Sequence, residues 1–508
     1  MNTIIKNANV YDGIGHSPAL SDIVVQDNII KAVEPAGALT LTGYDECYDA
    51  KGLALAPGFI DAHSHSDTMC IRNPTCDLKI LQGCTTEVVG NCGVSKCVEV
   101  IKDIPIGKTG MTCGWDDMAG YAAAVEKAMP AVNITTLVGH NSVRERVMGY
   151  ENRAATEDEM RQMSNIITNA LNQGACGLSS GLWYLPGKYS TTEEIVALGG
   201  CLRGTSKPYS THMRSEGDGL LEALEEAIAV AANGAKRLEV SHIKASPKRN
   251  WNKIDAVIDR IHKAKADGLS VFADRYPYIY SATGLRMVLN PPWNLIHDIS
   301  EYLRVPAQAE EVIKDLDATK TVEDDWKRII VLGNKYAGKT VWEISQEMGV
   351  TPGTAVVRLL SETLYQAAYG KMSEDNMHRW LRQPWVSAGS DASAYPTDYS
   401  LGRYHPRAAG TFPLFFQIAR QSCPTAEVIR RMTSMPAQMF NLAGRGVIRP
   451  GYIADMVVFD EENYQARSTF KDPHQPASGV SFVFVNGALA FDSREPDKIH
   501  RHGHFLKI

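Results

Sequence analysis

Apolar positions follow two different periods along the chain, and the change between them divides it. Residues 3–55 run in short alternating stretches: Thr3-Ile-Ile-Lys-Asn-Ala-Asn-Val10, Asp22-Ile-Val-Val-Gln-Asp-Asn-Ile-Ile30 and Cys47-Tyr-Asp-Ala-Lys-Gly52. A period of two, broken by turn residues, predicts antiparallel strands buried on one face. The same texture returns in Ile448-Arg-Pro-Gly-Tyr-Ile-Ala-Asp-Met-Val-Val-Phe-Asp460 and Val480-Ser-Phe-Val-Phe-Val-Asn-Gly487. Segments 1–56 and 440–508 are therefore expected to pair as one small, discontinuous, β-sandwich-like domain.

Between them, over 57–439, strand-like runs alternate with helical ones. Eight strand ends fall near His63-Ser-His65, Gly90-Asn-Cys92, Gly139-His-Asn141, Leu182-Trp-Tyr184, Thr211-His-Met213, Ser241-His-Ile243, Asp274-Arg-Tyr276 and Gly389-Ser-Asp391. Thr156-Glu-Asp-Glu159 has capping-box spacing ahead of Met160. Leu220-Leu-Glu-Ala-Leu-Glu-Glu-Ala-Ile-Ala-Val-Ala231 carries the helical period. Strands alternating with helices argue for a parallel sheet, and eight repeats for an α/β fold of the closed (β/α)8, TIM-barrel type. A doubly wound open sheet is the weaker alternative, because no glycine-rich dinucleotide fingerprint follows the first strand. Residues 285–380 are too many for one crossover. They form an insertion at the barrel mouth, either a lid or a docking subdomain without motion.

Composition narrows the class without naming the chemistry. The 508 residues are 44% hydrophobic and 22% charged, with a net charge of -6. That balance offers no basic footprint for nucleic acid and no polybasic patch for a membrane. The start of the chain has no signal-peptide core, and no apolar run would span a bilayer. Ten scattered cysteines without a Cys-x-x-Cys suit a reducing cytoplasm. A cytoplasmic enzyme acting on a small molecule is expected; the oligomeric state leaves no trace in the sequence.

The chemistry begins at Asp61-Ala-His-Ser-His-Ser-Asp67. Residues two apart on a strand share a face, so His63 and His65 would present paired imidazoles where the first strand ends. One such pair is weak evidence. It gains weight because Cys92, His212, His242 and Asp391 all fall at later strand ends, where barrels of this kind carry their active sites. Imidazole and thiolate suit zinc, and Cys92, His212 and His242 would make a three-ligand site with one position open.

With these stretches the chain resembles the amidohydrolase superfamily, and within it the N-acyl-D-amino-acid deacylases, or D-aminoacylases. The likeness lies in Pro57–Asp67, Gly90-Asn-Cys-Gly93, Gly174–Tyr184, Thr211-His-Met-Arg-Ser-Glu216, Val240-Ser-His-Ile-Lys244, Ala388-Gly-Ser-Asp391, His405–Pro413 and Arg445–Phe459. It implies one tightly bound Zn2+ on Cys92, His212 and His242. A second, weaker position, filled or empty, would lie beside His63, His65 and Asp391. Many relatives bridge two metals with a carboxylated lysine on the fourth strand. Gly177–Tyr184 contains no lysine, which counts against hydantoinases and dihydropyrimidinases.

The resemblance implies hydrolysis of an N-acyl-D-amino acid to a carboxylate and a free D-amino acid. The alternative is a cyclic amide, as in hydantoinases or dihydroorotases. A scaffold that has lost catalysis is disfavoured, since every ligand is present. Asp391 is the expected general base, unless it is only a ligand or a helix cap. Arg407, Lys244 and Tyr184 are the expected grip on the substrate carboxylate, Arg407 through a planar fork. The spacer from Asp391 to Arg407 is long for the family, which bears on where Arg407 points. Tyr276-Pro-Tyr-Ile-Tyr280 is expected along the pocket, and His500-x-His-x-His504 is set aside as incidental.

Overall fold

The computed structural model describes residues 2–39 and 43–508. Eight parallel strands form one sheet in chain order: β1 (Phe59–Asp61), β2 (Cys84–Val89), β3 (Asn133–Gly139), β4 (Gly177–Gly181), β5 (Tyr209–His212), β6 (Arg237–Val240), β7 (Ser270–Arg275) and β8 (Val386–Ala388). Every residue of β2, β3 and β4 is buried, as expected of strands covered on both faces. The first and last strands meet through a sparse set of bonds just past their ends. Asp391 N donates to His63 O at 2.8 Å and His65 N to Ala392 O at 3.3 Å, with a parallel bridge between Ser64 and Ala392. The sheet is thereby a (β/α)8 barrel.

The covering helices follow their sequence patterns. Helix Glu157–Asn172 starts on a complete capping box, Thr156 with Glu159, and buries Met163, Ile167, Ala170 and Leu171 along one face. Helix Leu220–Asn233 buries Leu220, Ala223, Leu224, Ala227, Val230 and Ala231. Each Leu or Val so buried contributes about 1.5–3 kcal/mol.

Strands from both ends of the chain share a second eight-stranded sheet. Asn2–Val10 is its branch point, bonding to Ala19–Gln26, Glu46–Asp49 and Ala54–Pro57, and the last of these pairs antiparallel with Met456–Phe459. Ile5, Ile23, Val25, Leu55, Met456 and Phe484 fill its core.

Between β7 and β8 the chain builds a layer of its own. Ser281–Gly284, Gln366–Tyr369 and Ile329–Val331 form a three-stranded antiparallel sheet with Gln366–Tyr369 in the middle. Helices Pro306–Thr319, Val341–Met348 and Pro352–Glu362 pack around Leu316, Trp326, Val331, Ile344 and Leu360. Ser281, Ala282, Thr283, Gln366 and Tyr369 of its strands line the same cavity as His212 and His242.

Candidate metal centre and active site

Five strands deliver polar groups to one end of the barrel. His212 is the last residue of β5, while Cys92, His242 and Asp391 stand two or three residues beyond β2, β6 and β8. His63 and His65 stand beyond β1, their ring centroids 5.3 Å apart. Placing side chains on the turns after the strands has a backbone cost. Cys92, His242 and Asp391 adopt φ of 54°, 39° and 51°, a left-handed region worth about 1–3 kcal/mol of strain per non-glycine residue. Close backbone contact helps set the Cys92 turn: a Cβ at Gly181 of β4 would collide with the Cys92 carbonyl oxygen.

Cys92 Sγ lies 3.4 Å from His242 Nε2, 3.8 Å from His212 Nδ1 and 3.4 Å from His63 Nε2. Zn–S and Zn–N bonds at a tetrahedral angle separate S from N by about 3.6 Å, so the donor set fits one such ion. A second group of donors, His63, His242 and Asp391, is equally compact. Asp391 Oδ1 lies 3.0 Å from His65 Nε2 and 3.7 Å from His63 Nε2. Burial alone would raise the Cys92 thiol pKa, but His63 and His242 outweigh it and hold it well below the usual thiol range. The thiolate is the ligating form.

The outer ring nitrogens are also engaged. His63 Nδ1 meets Asp274 Oδ2 at 2.9 Å, and His242 Nδ1 meets Glu216 Oε1 at 3.1 Å and Lys244 Nζ at 2.8 Å. A carboxylate behind a ligating imidazole fixes its tautomer and raises its basicity. Neither Asp274 nor Glu216 is marked as a site residue by the sequence pattern. Glu216 sits in the Thr211–Glu216 stretch, and Asp274 lies two residues before Tyr276.

A cavity of about 730 Å³ opens above these groups. His65, Cys92, His212, His242 and Asp391 floor it, and Tyr184, Lys244, Tyr276, Tyr369 and Lys371 stand in its walls. Tyr184 follows β4 in a turn instead of ending the strand, and its ring centroid is 4.8 Å from that of His212. The Tyr276 hydroxyl is buried and makes no hydrogen bond among the described residues. Lys244 Nζ and Arg407 Cζ lie 6.0 Å and 4.5 Å from the Tyr276 ring centroid.

Arg407, expected to grip the substrate carboxylate, stands one layer behind the cavity wall. It opens helix Arg407–Ala419, fully buried behind Tyr276 and Tyr404, and does not line the cavity. Its Nη1 lies 2.9 Å from Asp391 Oδ2. Burial would raise the Asp391 pKa, but Arg407 and the bond to His65 outweigh it and hold the carboxyl well below its usual range. His140 begins a helix and meets Glu194, away from the metal groups. No helix among the described residues is long and apolar enough to cross a membrane.

Residues 46–312 match the model of the amidohydrolase family. The chain is 30% identical over 521 residues to an N-acyl-D-glutamate deacylase of Alcaligenes xylosoxydans xylosoxydans, covering all of this chain and 96% of that one. It is 31% identical over 492 residues to a D-aminoacylase of the same organism, covering 96% and 93%. The crystal structure of the N-acyl-D-glutamate deacylase of Bordetella bronchiseptica superimposes with a TM-score of 0.83 at 30% identity, covering 100% and 99%. That structure holds zinc and a phosphonate inhibitor that mimics the tetrahedral intermediate. The L-hydantoinase of Arthrobacter aurescens shares the fold alone, with a TM-score of 0.58 at 13% identity. With its motifs, ligand groups and full-length relatives together, the chain belongs to the amidohydrolase family, in the branch of the N-acyl-D-amino-acid deacylases.

Proposed function

We propose that the protein is a zinc-dependent hydrolase that cleaves the amide bond of N-acyl-D-amino acids, releasing a carboxylate and a free D-amino acid. The observation that carries this reading is the Cys92–His212–His242 triangle, with Sγ-to-nitrogen spacings of 3.4 and 3.8 Å, at the floor of a deep cavity. A zinc ion held there would polarise the acyl carbonyl and bring the pKa of a water to about 7. His63, His65 and Asp391 would form a second, weaker position.

Asp391 takes the proton of the attacking water and passes it to the leaving nitrogen, which is general acid–base work. Arg407 keeps that carboxylate ionised and aimed. The substrate carboxylate is met by Lys244 and the free hydroxyl of Tyr276, with Tyr184 donating toward the acyl oxygen; all three line the cavity. The insertion supplies Tyr369 and Lys371 to the same walls, and we read it as the lid that meets the amino-acid side chain. Ten cysteines, all free, fit a reducing cytoplasm. The D-handedness follows that of its full-length relatives, an N-acyl-D-glutamate deacylase and a D-aminoacylase.

The test is a panel of N-acetyl-D- and L-amino acids beside hydantoin and dihydroorotate, read with zinc content by elemental analysis. Turnover of D substrates, lost on zinc removal and restored on its return, is expected. Turnover of cyclic amides with none of the linear D substrates would overturn the reading.

A further inference from the structure

Lys79 is the one charged side chain in a short helix, Asp77–Ile80, that is buried with its neighbours Leu78 and Ile80. Moving an ammonium out of water costs several kcal/mol unless it is well paired, so its partners indicate what the burial secures. Nζ donates to Asp61 Oδ2 at 2.6 Å, Ser390 Oγ at 2.8 Å and Ala392 O at 2.9 Å, and lies 3.3 Å from Glu87 Oε2. These groups come from the ends of β1, β2 and β8, directly beneath the metal-site turns.

Both residues flanking Asp391 are held by this cluster. Ser390 N donates to Asp61 Oδ1 at 2.9 Å and Ser390 Oγ to Asp61 Oδ2 at 2.6 Å, while Ala392 O accepts from Lys79. Asp391 itself has a φ of 51°, a conformation that persists only where its surroundings over-determine it. The opposite bank is tied to the same ammonium. Asp61 Oδ1 accepts from His63 N at 3.2 Å, and Glu87 accepts from the hydroxyls of Ser64 and Ser66. Few main-chain bonds join β1 to β8, so this buried cluster does much of the joining.

We propose that Lys79, acting through Asp61 and Ser390, is a positioning residue that clamps the β1–β8 seam and so holds Asp391 in register with His63 and His65. The clamp rests on the functional reading only for the choice of assay substrate.

Ser390→Ala removes one hydroxyl and no charge, and Lys79→Met removes the ammonium at similar length. Ser390→Ala is expected to stay folded, to keep its zinc and to lower kcat about 10- to 100-fold, the cost of misplacing a reacting group by an ångström or less, with KM little changed. In an Asp391→Asn background the same substitution should change kcat by less than about twofold, the scatter of independent effects. A folded Ser390→Ala protein with kcat within about twofold of the parent, or one losing the same factor with and without Asp391, would overturn the proposal. Lys79→Met is expected to repeat the pattern more strongly; if it does not fold, Ser390→Ala alone decides. Zinc affinity by competition with a chromophoric chelator is the readout apart from turnover. The Cys92–His212–His242 site should hold its affinity in Ser390→Ala, and its loss there would assign the cluster to general stability instead. If the parent turns over only a cyclic amide, the functional reading falls while the same cycle, run on that substrate, still tests the clamp.

Discussion

Arg407 Nη1 and Asp391 Oδ2 lie 2.9 Å apart, with the Arg407 side chain 1% exposed and that of Asp391 12%. The guanidinium thus faces, as an ion pair, the carboxylate beside the candidate metal ligands, its Nε and Nη1 making no hydrogen bond among the described residues, while Asp391, Tyr276 and Tyr404 reach the cavity. Replacing Arg407 by Lys keeps the charge but removes the fork. Lysine would also lose the bond that Nη2 donates to the Tyr404 hydroxyl at 3.3 Å, and a hydrogen bond from a charged group is worth about 1.5–3 kcal/mol, which is roughly 10- to 150-fold. That loss should fall mainly on kcat, and equally for a substrate acid and its carboxamide. A loss confined to KM of the acid would return the carboxylate grip to Arg407.

Cys92→Ala and Asp391→Asn should separate metal from proton transfer. The first removes one of three ligands and is expected to strip the tight zinc and abolish turnover. The second should retain zinc while turnover falls about 10²–10⁴-fold, the usual worth of a general base. Zinc content and kcat measured on the same preparations check both. A fall of less than about tenfold in Asp391→Asn with zinc intact would exclude Asp391 as the base.

Tyr276→Phe keeps the ring that Arg407 and Lys244 face and deletes only the hydroxyl. One hydrogen bond contributes about 0.5–1.5 kcal/mol, so KM for the acid substrate should rise roughly 2- to 12-fold. The carboxamide should show a smaller change. Equal changes for the two substrates would remove Tyr276 from carboxylate recognition.

Acid stability should report Glu194. Its carboxylate is buried between Arg144 Nε at 3.1 Å and His140 Nε2 at 3.2 Å. Burial raises its pKa, but His140 and Arg144 outweigh this and lower it. A lowered folded-state pKa stabilises in full above the unfolded value of about 4.3 and loses that contribution as pH falls toward the folded one. Glu194→Gln leaves Arg144 unpaired and should cost about 3–5 kcal/mol at neutral pH. The gap in melting temperature between parent and variant should begin to narrow as the pH falls below about 4.3 and close below the lowered folded-state pKa. A gap independent of pH would show that the charge of Glu194 is not what stabilises.

Much of the site was legible because its signals are local. His63 and His65 stand two apart, Cys92 sits in a Gly-Asn-Cys-Gly turn, and each remaining candidate ligand ends or closely follows a strand, His212 closing Tyr209–His212 and His242 and Asp391 lying two and three residues past theirs. The companions were not legible for a physical reason. Asp274 and Glu216 earn their roles by facing imidazoles whose chain positions lie far from their own. Lys79, between Leu78 and Ile80, looks like any lysine on a short helix until the barrel closes over it.

The one-dimensional pattern therefore determined the alternation of strands and helices, the barrel and the candidate metal donors, since period and strand ends are properties of neighbouring residues. Only the tertiary structure decided where long side chains spend their charge. Arg407 turns to Asp391, Lys244 to Glu216 and His242, and Lys79 to Asp61 and Ser390. A buried cation must find its counter-charge wherever the fold brings one within reach, and that distance is not written in the spacing of residues along the chain.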